Sequence, residues 1–162
     1  MSERPSSLGA LLRRLADRLD GEVEAAYAAR GLAFRPRYTV IMRALMEAER
    51  GAEEPMALSI KALAEAAGLT HSALSQTAAQ MTREGWLVSG RAADGRQRAV
   101  MLSDQARAAL PALTDQWRAT SRAARSLDQD LGLELEAVLT AALRALDARG
   151  YRDRMEGMRR PG

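Results

Sequence analysis

The stretch Ser59–Gly85, SIKALAEAAGLTHSALSQTAAQMTREG, runs directly into Trp86–Ser103, WLVSGRAADGRQRAVMLS. Ile60, Leu63, Ala64 and Ala67 recur at helical spacing, so the first part reads as a short helix with one apolar face. Gly68 suits a left-handed cap, Leu69 is expected to plug the turn behind it, and Thr70 offers its hydroxyl to an orphan amide of a second helix. In that second helix Leu74, Ala78 and Met81 take the buried side, and Gly85 stops it. Ala64 has to be small if the second helix is to cross close by. Trp86–Ser89 and Ala99–Leu102 are β-rich runs on either side of an Asp-Gly pair, a strong turn signal. Helix, tight turn, helix and hairpin in this order make a winged helix-turn-helix, a mainly α fold with a small β-hairpin wing.

With its apolar side committed to packing, the second helix is left with Thr70 at its cap and with His71, Ser72, Ser75, Gln76 and Arg83, side chains that reach base edges or phosphates. Taken alone, such a face is equally well an ordinary solvated one. The hairpin tip shifts the balance. Arg91, Arg96 and Arg98 cluster there with Asp94, and a tip entering a narrow minor groove gains from guanidinium groups in its negative potential. Asp94 fits as an orienting partner for Arg96 or a neighbouring arginine, and also as a turn former.

The run LAEAAGLTHSALSQTAAQMTREGWL, followed by DGR and VMLSDQA, resembles the multiple antibiotic resistance regulator (MarR) family of bacterial transcription factors. Helix order extends the likeness over Leu8–Gly150, and Ile60–Ser103 matches motif for motif. The family's wing Asp-x-Arg falls on Asp94 and Arg96, and its Leu-Ser/Thr step into the next helix falls on Leu102 and Ser103. The resemblance implies a dimer with two recognition helices in successive major grooves of double-stranded DNA and wings in the flanking minor grooves. The chain departs from the pattern where members carry basic residues, with Gln76, Ala79 and Gln80 in their place. Base reading then rests more on Gln76, His71 and the wing, and Gln pairs bidentately with adenine where Arg favours guanine.

Charge is distributed accordingly. The net charge of the 162 residues is only +3. Residues 56–102 and 151–162 each carry a surplus of two positive charges and the remaining segments are near neutral, the footprint expected of a DNA-binding surface. Lys61 is the only lysine, and arginine predominates in every segment, so that bias reflects genome composition. With no cysteine and one histidine, His71, the chain offers no disulfide, thiolate switch or usual zinc site, and no cofactor is implied. Neither a signal-peptide core nor a membrane-spanning run is legible, so a cytoplasmic location without membrane contact is expected.

Flanking helices predict self-association. Leu8, Leu12, Leu15, Leu19, Val23 and Ala26 form one stripe, capped by Ser6 or Ser7 and stopped at Gly31. Ala106, Leu110, Leu113, Trp117, Ala124 and Leu127 line a second helix, and Leu131, Leu135, Val138, Leu139, Ala142 and Leu146 a third. A homodimer buries these faces best and sets two heads roughly 34 Å apart, as paired half-sites require; a single-chain bundle is the alternative. The expected organisation is one MarR-like domain over 1–162, with dimerisation helices at 6–30 and 103–150, the reading head at 36–102 and a basic tail at 151–162. Pro111, inside the fifth helix, removes the amide bond to the Arg107 carbonyl and predicts a bend, either a hinge or a passive wedge.

Between base and head, a regulator of this kind binds a small effector. Tyr27, Phe34, Tyr38, Met42 and Trp117 are candidate linings, with Arg37 available to meet an anion; aromatics at such spacing also serve simply as core. The expected function is a sequence-specific DNA-binding transcriptional regulator, a repressor released from its operator by a small molecule. A non-specific nucleoid-type DNA binder and a protein-interaction module on the same fold are the alternatives. Catalysis is not expected: the sole histidine lies on the recognition helix, and Glu53 and Glu54 sit beside Pro55 in a loop.

Overall fold

The computed structural model describes residues 7–91 and 98–159. Seven helices and three strands follow in the order α1 (Leu8–Ala28), α2 (Thr39–Ala48), β1 (Leu58–Ser59), α3 (Ile60–Ala67), α4 (His71–Arg83), β2 (Leu87–Arg91), β3 (Arg98–Leu102), α5 (Asp104–Leu131), α6 (Leu135–Ala148) and α7 (Tyr151–Arg159). A 3-10 turn over Pro36–Tyr38 leads into α2. The mainly α fold with a small antiparallel sheet is the architecture expected from the sequence.

The helix-turn-helix forms as its residues dictate. Ser59 caps α3 by accepting from the Ala62 amide, and Thr70 caps α4 by accepting from the Ala73 amide. Gly68 closes α3 at φ +62°, a conformation that costs a residue with a Cβ but not glycine. Leu63, Ala64, Leu74, Ala78 and Met81 are buried together. Leu69 does not plug the turn: it is 44% exposed. Its amide closes the cap by donating to the Ala64 carbonyl, leaving the side chain on the outer side of the turn.

The hairpin gains a third strand. β1 pairs antiparallel with β3, Leu58 opposite Val100, giving the order β1-β3-β2. β2 and β3 run from Leu87 opposite Leu102 to Arg91 opposite Arg98. Gly90 is required where these strands crowd, since a Cβ there would lie 2.7 Å from that of Ala57. Ser103 joins the wing to the rest: its hydroxyl donates to the Gly85 carbonyl (2.6 Å) and accepts from the Ala106 amide, capping α5 while holding the end of α4.

The chain divides into two compact units, Met1–Gln116 and Trp117–Gly162. The division falls inside α5, whose first part carries the fully buried Ala106 and Leu113. α5 is one continuous helix through Pro111. An ion pair that sequence reading missed joins α2 to α5: both Arg107 Nη atoms donate to the Glu49 carboxylate, at 2.6 and 2.7 Å. In the second unit the segment read as a tail is helical over Tyr151–Arg159. Arg154 stabilises it by donating to the carbonyls of Arg149 and Ala145 at the end of α6.

Candidate nucleic-acid interface

α4 separates its two sides cleanly. Leu74, Ala78 and Met81 face inward, whereas His71, Ser72, Gln76 and Arg83 are exposed and Ser75 is half-buried. The helix presents its polar residues outward, and its N-terminus, capped by Thr70, leads with His71 and Ser72. Of the wing residues, Asp94 and Arg96 lie outside the described residues; Arg91 and Arg98 are paired across the two strands that carry the tip.

A carboxylate that sequence reading passed over anchors the far end of α4. Glu84 Oε2 accepts from the Tyr38 hydroxyl (2.8 Å), while Oε1 accepts from Gln80 and Arg35. Burial pushes the Glu84 carboxyl up, but hydrogen bonds from Gln80 and Tyr38 and the charges of Arg35 and Arg37 outweigh it, holding it below the ordinary carboxylate range. Burial and the bond to Glu84 raise the Tyr38 phenol above its ordinary value. Gln80 in turn accepts from Arg83, so a chain of hydrogen bonds runs from the entry of α2 to the exposed end of α4.

All the candidate effector residues but Arg37 are buried. Tyr27, Phe34, Tyr38 and Met42 are core, and Trp117 is buried. Phe34 stacks edge-on against Tyr27 (5.1 Å), Tyr38 (5.6 Å) and Trp86 (5.1 Å), an aromatic cluster whose fourth member was read only as the start of a strand. Of the candidates only Phe34 lines the adjacent cleft of about 420 Å³, which it shares with Trp86, Arg35, Glu84 and Gln105. Arg37 is exposed and lines a different groove, beside α4, with Gln76 and Arg83. Among the described residues no three metal-ligating side chains gather, and no helix is long and apolar enough to cross a membrane.

No family model and no curated protein matches the chain by sequence. Solved structures do. A MarR family transcriptional regulator from Silicibacter pomeroyi DSS-3 superposes with a TM-score of 0.60 at 21% identity, over 90% of this chain and 99% of that one. The M. tuberculosis transcriptional regulator MosR, solved in complex with DNA, gives 0.67 at 18% identity over 88% and 98%. CouR from Rhodococcus jostii, bound to p-coumaroyl-CoA, gives 0.56 at 15% identity over 93% and 96%. These likenesses span nearly the whole length of each partner, and the chain has the winged helix-turn-helix fold of MarR family transcriptional regulators.

Proposed function

We propose that the chain is a MarR-type, sequence-specific DNA-binding transcriptional regulator that works as a homodimer, and that it is a repressor released from its operator by a small molecule. The observation that carries this reading is the outward polar face of α4, with Ser72 and Gln76 exposed on the side away from a fully buried Leu74 and His71 exposed at the helix N-terminus. A neighbour of the same fold was solved on DNA, which supports placing α4 in a major groove. The S. pomeroyi and M. tuberculosis neighbours are transcriptional regulators, in keeping with a non-catalytic role.

Homodimerisation is supported by apolar surface that one chain leaves bare. On α1, Leu8, Leu11, Leu12 and Leu19 are exposed, and on α6 no residue is buried, with Leu143 at 65% exposure. Several contiguous leucines facing water are costly and mark an association surface. The cleft walled by Phe34 and Trp86 supplies the effector's seat in this reading, as one neighbour holds an aromatic acyl thioester. Its occupant must prefer the arrangement that misses the operator, since equal affinity for both shifts nothing.

Gel-shift titration on a selected duplex and on random duplexes tests the reading. Replacing Gln76 with Ala is expected to relax base preference at one position, whereas Arg96→Ala weakens binding across sequences, each by about 1–3 kcal/mol. A regulator shows a large specificity ratio. Equal affinity for all duplexes would instead establish a nucleoid-type binder, and no retention of DNA a protein-interaction module.

A further inference from the structure

Beside the recognition helix lies a groove of about 410 Å³ lined by Arg37, Gln76, Thr77, Ala79, Gln80 and Arg83. Four of these, Gln76, Ala79, Gln80 and Arg83, follow one another along a single side of α4 at helical spacing. Arg37 comes from another element, the 3-10 turn ahead of α2. The lining holds two arginines and no acid, so positive charge predominates along the helix proposed to read DNA, offset in part by the Glu84 carboxylate that accepts from Gln80.

The turn bearing Arg37 is fastened to that helix. Tyr38, the next residue, is fully buried, and its hydroxyl donates to Glu84 at the end of α4. Arg35, two residues earlier, donates to the same carboxylate. The Arg37 guanidinium lies 5.5 Å from the Tyr38 ring centre, over its face, a stacking that limits the directions open to an otherwise long, mobile side chain. Arg83, which also lines the groove, donates to the side-chain amide oxygen of Gln80. Two guanidinium groups with fixed partners thus line the same groove as Gln76, a residue proposed to read a base.

We infer that Arg37 is a DNA-backbone contact: with Arg83 it grips a phosphate run bordering the groove that α4 enters, and so fixes the register in which Gln76 meets its base. Phosphate contacts set position and orientation while base contacts set sequence, and a planar guanidinium suits a phosphate bidentately. Pinning through Tyr38 and Glu84 makes the contact part of the same rigid piece as the recognition helix. The inference rests on the DNA-binding reading above and goes beyond it, since the sequence placed Arg37 with the effector residues.

The test is the salt dependence of affinity for a duplex recovered by selection from a random library, measured on the full chain, on Arg37→Gln and on Arg37→Lys. Each lost phosphate contact flattens the slope of log affinity against log salt by about 0.9. Arg37→Gln is expected to flatten it by that amount per subunit engaged, and Arg37→Lys to keep the parent slope. A parent slope in Arg37→Gln, or a flattened one in Arg37→Lys, overturns the inference while the DNA-binding reading stands. If the unaltered chain retains no duplex at all, that reading fails first and the inference falls with it.

Discussion

Phe34→Ala is expected to lower the unfolding free energy by about 3–5 kcal/mol, the cost of emptying a buried aromatic site. Phe34 is 2% exposed and is the ring shared by all three edge-on contacts, to Tyr27, Tyr38 and Trp86. Removing it leaves a void between the end of α1, the entry of α2 and the start of the wing. Tyr38, which holds the end of α4 through Glu84, then loses its packing. Urea unfolding followed by circular dichroism measures the loss. A decrease below about 1 kcal/mol, the range of ordinary surface changes, would show that the cluster does not organise the core.

Leu74→Ala is the second large effect, at about 2–5 kcal/mol. Leu74 is fully buried on the inward side of α4, one turn in from the Thr70 cap. Its loss is expected to remove specific DNA retention as well as stability, because the exposed face is positioned by the buried one. His71→Ala and Ser72→Ala, at exposed positions of the first turn, are expected to change stability by no more than roughly 0.5 kcal/mol while weakening binding. The contrast is the informative part. If Leu74→Ala cost no stability, the buried and exposed sides of α4 would be wrongly assigned.

How far such assignments could be made from sequence depends on the range of the interaction. α3, its turn and α4 rest on local rules: periodic apolar residues, a side-chain cap at Thr70, and glycines at positive φ at Gly68 and Gly85. Each was legible. β1 was not, since two residues form a strand only because β3 already offers an edge to Leu58 and Ser59. The aromatic cluster was half-read: Tyr27, Phe34 and Tyr38 were singled out, but Trp86 lies 48 residues beyond Tyr38 and joins them only in the folded chain. Leu69 was misplaced because a leucine after a helix-ending glycine is apolar in either position, and the cap geometry turns it outward.

Arg37 and Glu84 show the same limit at the candidate site. Nothing local to FRPRY says that its second arginine will lie along a helix more than thirty residues away; the contact from Tyr38 to Glu84 decides it. Glu84 contributes only one negative charge to a sequence reading. Its role follows from four neighbours, Tyr38, Arg35, Gln80 and Arg37, three of them from outside α4.

The most direct measurement of the central claim is selection of bound duplexes from a random library, with the mass of the resulting complex determined on the recovered sequence. The account predicts a two-fold symmetric motif whose half-sites are centred roughly 34 Å apart, bound by two copies of the chain. Recovery of no enriched motif, or of a single half-site bound by one copy, would contradict it.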